Sequence, residues 1–407
     1  MRILVIGLNY APELVGIGPY TAGTVRALVD AGHEIEVIAG KPYYPAWKID
    51  PAFAGGFYRK SREDGVTVTR CAHYVPARPS GAKRILHHLS FANSVLPQAI
   101  RAARRFRPDL VFTVAPSMIA VPAARVAARI AGAPLWIHVQ DFEVEAAFAT
   151  GLVDGGGMAA KLARRFEAAQ LAAADRVSTI SPQMCAKLRE KGVAEERIVE
   201  FRNWADVDRV RPLERESAYR AEWGIERPHV ALYSGNIANK QGIEIVVEAA
   251  RLLAHRRDLL FLICGQGPNR ARLAEATADL DNVMLRDLQP AERLGELLGL
   301  ADAHLLPQIV GAADLVLPSK LTNMLASGRP VVATAAPGTG LAAEVEGCGV
   351  VTPPGDARAF AEAIESLLND EGRRQELGRA ARRRAEERWG RGEILRRFVR
   401  RAGEGAR

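Results

Sequence analysis

Apolar residues in the first half of the chain gather into short β-branched runs at 2–6, 34–38, 109–114, 135–139 and 176–180. Between them lie stretches such as 21–31, where apolar positions recur every three or four residues, the spacing of one helix face. Short buried strands alternating with amphipathic helices predict a parallel sheet covered by helices on both sides. The pattern then restarts, with strands at 230–234, 259–264, 282–285, 303–306 and 331–334 and helical spacing at 243–253 and 358–368. The expected fold class is α/β, built from two doubly wound, Rossmann-like parallel-sheet domains. The break falls near 203–208, ahead of the polar, arginine-rich stretch 209–220. It sets an N-terminal domain over 1–204 and a C-terminal domain over 205–385. Residues 373–400 read as helical and basic, and the terminal part, 386–407, could pack on either domain, including back on the first. Open parallel sheets bind ligands at the carboxyl ends of their strands, so two facing sheets would make one interdomain cleft.

Length agrees, since 407 residues exceed one ordinary core. An apolar share of 48% with 25% charged residues is a globular composition. Cys71, Cys185, Cys264 and Cys348 are far apart, and Cys264 lies inside an apolar run. Buried inert thiols are expected, with neither a disulfide framework nor a zinc site. The chain opens on a strand-like run without a basic, apolar leader, and no stretch is long and apolar enough to span a bilayer, which predicts a cytoplasmic protein.

The net charge of +8 is uneven. From 65 to 108 there is no Asp or Glu, while Arg70, Arg78, Lys83, Arg84, Arg101, Arg104, Arg105 and Arg107 fall there. Ile85, Leu86, Leu89, Phe91 and Leu96 are interleaved with them, a mixture suited to an anionic membrane surface. A solvated basic helix face is the plain alternative. Regularly placed aromatics and a recognised nucleic-acid motif are missing, so no nucleic-acid partner is expected.

The candidate chemistry concentrates at strand ends of the second half. Ahead of the strand at 331–334 runs Pro318-Ser319-Lys320-Leu321-Thr322-Asn323-Met324-Leu325-Ala326-Ser327-Gly328. Ser319 is a good N-cap and Gly328 a good helix stop, so a helix would begin at Ser319 and Lys320. Its free amides, partial positive charge and lysine make an anion site fit for a diphosphate. The strand at 230–234 runs into Gly235-Asn236 and then Lys240, and that at 259–264 into Gly265-Gln266-Gly267. Small residues at three strand ends point to a nucleoside-diphosphate site there.

In the first half, Gly16 and Gly18 follow the opening strand too late for a dinucleotide fingerprint, and the second strand ends in Ala39-Gly40-Lys41 without an acid. A nicotinamide oxidoreductase is therefore disfavoured. The strand at 135–139 carries His138 and ends in Gln140-Asp141-Phe142-Glu143. Asp141, past the strand end, is the better catalytic candidate, and His138 could equally be a core histidine. Asp206 and Asp208 resemble a metal-binding Asp-x-Asp, but their place in the presumed hinge reads as structural, and no metal site is expected.

These motifs together resemble glycosyltransferase family four, whose retaining members have the two-domain GT-B fold, and within it the exopolysaccharide branch of colanic acid synthesis. The resemblance rests on Asn-Tyr-Ala-Pro-Glu-Leu-x-Gly-Ile-Gly at 9–18, His-Val-Gln-Asp-Phe at 138–142, Ser-Gly-Asn at 234–236, Lys-Gln-Gly at 240–242 and the run 318–329. It implies that Gly16 and Gly18 approach the donor diphosphate and that Lys240 is the diphosphate lysine. The lysine's usual arginine partner is Asn236 here, and the family's paired glutamates are Leu315 and Asn323. The family's His-Asp reads Gln140-Asp141.

The implied reaction is hexosyl-type transfer from a GDP- or UDP-linked sugar to a saccharide or lipid-linked saccharide, with retention and without a metal. Asp141, His138 and Lys240 are the catalytic candidates. Gly16, Gly18, Gly235, Asn236, Lys240, Gly265, Gly267, Ser319, Lys320, Leu321 and Asn323 are the donor-binding ones. The donor is a substrate, and no cofactor is expected. A sugar-nucleotide 2-epimerase and a non-catalytic nucleotide-sugar-binding subunit stay open as other readings.

Overall fold

A computed structural model of the protein describes residues 1–404 apart from 15, 79, 117, 143–156, 206, 238–241 and 310–318, and without the side chain of Ser319. The chain divides into two units, Met1–Arg202 with Gly392–Arg407, and Asn203–Arg391.

The first unit is an eight-stranded sheet of β1 (Arg2–Gly7), β2 (Glu34–Gly40), β3 (Tyr58–Glu63), β4 (Val66–Cys71), β5 (Leu110–Ala115), β6 (Leu135–Val139), β7 (Arg176–Thr179) and β8 (Ile198–Glu200). Its order is β3-β4-β2-β1-β5-β6-β7-β8, parallel except for the antiparallel β3–β4 pair. β1 lies centrally and is covered on both faces, with Ile3, Leu4, Val5 and Ile6 fully buried, which is why it reads as an unbroken apolar run. β3, Tyr-Arg-Lys-Ser-Arg-Glu, carries charge along the sheet's edge, a sequence that discourages pairing with another chain. Asp64 and Gly65 join β3 to β4 with φ of 49° and 83°, the two-residue turn that matches hairpin twist. Described helices are α1 (Gly18–Asp30), α2 (Gly81–Phe106), α3 (Val121–Ala131), α4 (Met158–Ala172) and α5 (Pro182–Glu190).

The second unit holds a wholly parallel six-stranded sheet in the order β11-β10-β9-β12-β13-β14. Its strands are β9 (His229–Ser234), β10 (Leu259–Cys264), β11 (Val283–Arg286), β12 (Ala303–Leu306), β13 (Val331–Thr334) and β14 (Gly349–Thr352). Its described helices are α6 (Tyr219–Trp223), α7 (Glu244–Leu252), α8 (Arg270–Ala276), α9 (Leu294–Gly299), α10 (Ser319–Ala326), α11 (Gly340–Val345), α12 (Ala357–Asn369) and α13 (Glu371–Trp389). β10 shows how one strand serves two cores. Leu260, Leu262 and Cys264 face the core containing Met324 and Trp389, whereas Leu259, Phe261 and Ile263 face that of Phe360 and Ile364. All four cysteines are free and buried.

The basic C-terminal stretch is two helices rather than one. Gly390 is extended (φ −63°, ψ 119°), bridges Ala205, and separates α13 from α14 (Arg391–Glu404). α14 belongs to the first unit. Its Phe398 stacks on Phe201 at 4.2 Å and meets Phe112 edge-on at 5.1 Å. Among the described residues no helix is long and apolar enough to cross a membrane.

Candidate functional site

In each sheet the strand order reverses beside a central strand, at β1–β5 and at β9–β12, where α/β sheets bind ligands beyond the strand ends. At the end of β9, Gly235 has φ 132°, and a Cβ there would lie 2.7 Å from Lys320 Cε. This glycine is what lets Lys320 lie across the strand end. Lys320, in the first turn of α10, donates from Nζ to Tyr233 Oη at 2.9 Å and sits 4.4 Å from the tyrosine ring centroid. Tyr233 Oη in turn donates to the Asn236 carbonyl at 2.5 Å. Burial pushes the Lys320 pKa down to about 8, because a desolvated ammonium is disfavoured. The result is a desolvated cation beside a helix N-terminus at a switch point, an arrangement that favours an incoming anion.

Gly265 and Gly267 have a reason of their own. A Cβ at 265 would lie 2.0 Å from the Gly235 carbonyl oxygen, and one at 267 would lie 2.3 Å from that of Ile237. Ile237 N–H donates to the Gln266 carbonyl at 2.8 Å, zipping the two loops together. The packing of these loops by itself already requires glycine at both positions. Asn236 is exposed beside them, with its Oδ1 2.7 Å from where a Cβ of residue 267 would stand.

Leu321 is fully buried in the core, so its side chain does not reach a ligand and only its backbone amide remains for one. Asn323 is half-buried one turn along α10 from Lys320, and its side chain makes no hydrogen bond among the described residues. Ser319 begins the helix. Lys240, Leu315, Glu143 and Asp206 lie outside the described residues. Asp208 is exposed and accepts from Arg211 at 3.0 Å. Among the described residues no group of three or more His, Cys, Asp or Glu could hold a metal ion.

In the first unit, Gly16 has φ 73°, and a Cβ there would touch the Tyr44 ring at 3.0 Å. Gly18 opens α1 against Glu13, whose Cβ would be 2.8 Å from an added one. Buried Glu13 braces this loop. Its Oε1 accepts from the backbone N–H of Tyr43 and Tyr44, each at 3.0 Å, and its Oε2 accepts from Asn9 at 2.9 Å. Burial raises the Glu13 pKa, and those donors oppose the rise. Arg70 supports the same loop from below, donating to the Ala11 carbonyl and pairing with Glu63 at 2.6 Å. It is fully buried and so does not belong to the basic surface read from the sequence.

His138 is a core residue. Only 3% exposed, it contacts Ser178 Oγ at 2.9 Å through Nδ1 and the Gln140 amide at 2.8 Å through Nε2. Burial pushes its pKa down to about 3, so it is neutral at ordinary pH. With both nitrogens engaged it offers none to a substrate, and its part is to hold Gln140 ahead of Asp141. Asp141 follows β6 and is half-buried.

Two family descriptions match in tandem, a glycosyl transferase 4-like domain over 15–204 and glycosyl transferases group 1 over 216–384. The putative colanic acid biosynthesis glycosyl transferase WcaI of Escherichia coli K12 is 42% identical over 380 residues, covering 90% of this chain and 92% of that protein. The chain belongs to glycosyltransferase family four, in its exopolysaccharide branch. A GDP-mannose-dependent alpha-mannosyltransferase of Mycolicibacterium smegmatis is 26% identical across 89% of both chains. In fold, this glycosyltransferase is similar to sucrose-phosphate synthase from Thermosynechococcus elongatus (TM-score 0.76, 19% identity, 99% and 98% of the two chains covered). It is also similar to Anabaena Alr3699/HepE, solved in complex with UDP (TM-score 0.72, 17% identity, 99% and 100% covered). The fold is GT-B.

Sequence reasoning missed three residues that shape the candidate loops of this glycosyltransferase, Tyr233 in the second unit and Glu13 and Arg70 in the first. Tyr233 sits inside an apolar run and reads as core, although its hydroxyl holds a lysine 87 positions away. Glu13 and Arg70 act through backbone contacts that no local pattern reveals.

Proposed function

We propose that this glycosyltransferase moves a sugar from a GDP- or UDP-linked donor to a hydroxyl of a saccharide or lipid-linked saccharide, retaining anomeric configuration and using no metal. The observation that carries this reading is Lys320, desolvated at the head of α10 where β9 ends. As the sugar's bond to the diphosphate breaks, negative charge grows on the leaving oxygen. Lys320 and the first amides of α10 stabilise that charge, with Lys240 as a second cation. The acceptor oxygen bonds the anomeric carbon on the same face, and its proton leaves with the diphosphate. Such front-face substitution needs no enzymic nucleophile. Asp141 supplies the polar group beside the reacting sugar, and Asn323 meets the ribose. The donor class has support from the mannosyltransferase relative, whose name specifies GDP-mannose, and from the UDP complex of the similar fold.

The acceptor is proposed at the inner face of the cytoplasmic membrane. On α2, Ile85, Leu86 and Leu89 are 48%, 52% and 44% exposed beside the exposed Lys83 and Arg84. Phe91 is buried and does not contribute. An exposed apolar row edged by cations suits an anionic bilayer.

The test measures free nucleotide from GDP- and UDP-sugars with and without a saccharide acceptor, under excess EDTA. Acceptor-dependent release that survives EDTA is expected. Binding without turnover would leave only a nucleotide-sugar-binding subunit, and an absolute need for magnesium or manganese would remove the metal-free mechanism.

A further inference from the structure

At the amino edge of the second unit's sheet, opposite the strand ends near Lys320, lies a cavity of about 510 Å³. It opens between α13 and the residues entering β12 and β13, Asp302 and Pro330. Five lining residues are arginines, at 329, 374, 379, 382 and 383, against the two acids Asp302 and Glu371.

Three of the arginines are committed to backbone carbonyls. Arg382 donates to Val210, Ala326 and Val207 at 2.8, 2.9 and 3.0 Å, and its Nε also pairs with Glu386 at 2.7 Å. Arg374 closes the end of α12 through Leu367 and Leu368, and Arg329 donates to Gly299 at 2.9 Å. Carbonyls satisfy N–H groups but leave the cations' net charge in place. Acids offset it in part: Glu386 pairs with Arg382 and Asp302 with Arg374, which leaves Arg329, Arg379 and Arg383 against Glu371. Asp302 accepts from the Val230 N–H at 2.9 Å and stands 3.8 Å from Arg374, while Glu371 accepts from Gln375 at 2.9 Å. Arg379 and Arg383, one turn apart on α13, make no hydrogen bond or ion pair among the described residues. Burial depresses the Arg329 pKa, and Arg374 and Arg220 push the same way against the pull of Asp302. An anion in the cavity would relieve that excess.

The wall carrying these arginines is firmly seated. A Cβ at Gly378 would lie 2.3 Å from the Gly328 carbonyl oxygen, so α13 packs backbone on backbone beside the cavity. The volume falls within the range of small-molecule pockets. It exceeds the needs of a bare phosphate, and paired guanidinium forks match phosphate oxygens bidentately. We propose that this cavity binds a phosphorylated small molecule, as an anion site separate from the one at Lys320.

Calorimetric titration with inorganic pyrophosphate tests it on the full chain. Wild type is expected to show two binding events. The double change Arg379→Ala with Arg383→Ala, at exposed helix positions that alanine suits, should weaken one event at least tenfold. The other event and nucleoside-diphosphate affinity should stay unchanged, and Lys320→Met should do the converse. A single event, lost in Lys320→Met alone, would overturn the second site while leaving the diphosphate reading intact. Phosphatidylglycerol vesicles form a parallel arm, in which binding should be indifferent to the double change. Vesicle binding lost together with pyrophosphate binding would overturn the small-molecule assignment in favour of a lipid headgroup.

Discussion

Replacing Lys320 by methionine should make the unliganded protein more stable while removing its affinity for a diphosphate. Methionine keeps the length of the side chain and drops the charge. Burial lowers the lysine pKa from 10.5 to about 8. At about 1.36 kcal/mol per unit, keeping the charge buried at pH 7 costs roughly 3 kcal/mol. The lost hydrogen bond to Tyr233 takes back about 1 kcal/mol. A net gain of about 2 kcal/mol corresponds to roughly 4–8 °C in the melting temperature of a unit this size. The sign follows from linkage. The unfolded chain holds the lysine proton more tightly than the folded one, so the wild-type penalty is full below pH 8 and fades as pH approaches 10.5. The methionine variant's advantage should shrink over the same window. Scanning calorimetry from pH 7 to 10 reads the first effect, and titration with nucleoside and nucleoside diphosphate reads the second. A lost charge-assisted contact of about 1.5–3 kcal/mol weakens the diphosphate roughly 10- to 150-fold, with the nucleoside unchanged. A less stable variant that still binds diphosphate would refute the assignment of Lys320 as a buried cation that binds the diphosphate.

Wild-type affinity for a nucleoside diphosphate should fall about tenfold per pH unit above pH 8, since binding must then take up a proton, while nucleoside affinity stays flat. Lys320→Arg, which does not titrate in this range, should remove that slope in the same calorimetric series. Asn323→Ala should weaken nucleoside and diphosphate alike by about 1 kcal/mol, the worth of one neutral hydrogen bond, by the same titration. Lys83→Glu with Arg84→Glu should weaken sedimentation with anionic vesicles at low salt and leave nucleotide affinity intact.

The second sheet was the more legible because its strands are buried on both faces and read as apolar runs. The expected 259–264, 303–306 and 331–334 coincide with β10, β12 and β13. β3, β4, β8 and β14 escaped, β4 because its Val-Thr-Val-Thr-Arg-Cys alternates instead of forming an apolar run. β3 is charged, β8 has three residues, and β14 begins with a half-buried glycine. The Asp64-Gly65 turn that joins β3 to β4 was not read as a hairpin signal. Lys320 was legible because a capped helix start is a local pattern. Arg70 was misjudged because an arginine in a basic stretch looks solvated, and its burial depends on Glu63 across a hairpin that had not been foreseen. His138 shows the same limit, since Ser178, 40 positions away on β7, engages its Nδ1.

Asn323 is where resemblance and electrostatics give opposing expectations, because the family pattern has a glutamate at this position. Restoring that glutamate would put a carboxylate one turn from Lys320 on the same face of α10. At roughly 6 Å and an effective dielectric near 20, the attraction is at most about 3 kcal/mol, and less with solvent nearby. Asn323→Glu should therefore raise the Lys320 pKa and move the onset of the pH-dependent loss of affinity above pH 8. The same carboxylate competes with the incoming phosphates for the ammonium, so diphosphate affinity should fall roughly 5- to 150-fold. Nucleoside affinity should hold or improve, because a carboxylate accepts two ribose hydroxyl protons in charge-assisted bonds where the amide offers one oxygen. Titrating the variant with both ligands across pH 7–9.5 separates the two effects. Equal weakening of both would mean that residue 323 does not face the ribose. Tighter diphosphate binding with an unmoved pH profile would mean that the Lys320 charge does not act on the phosphates.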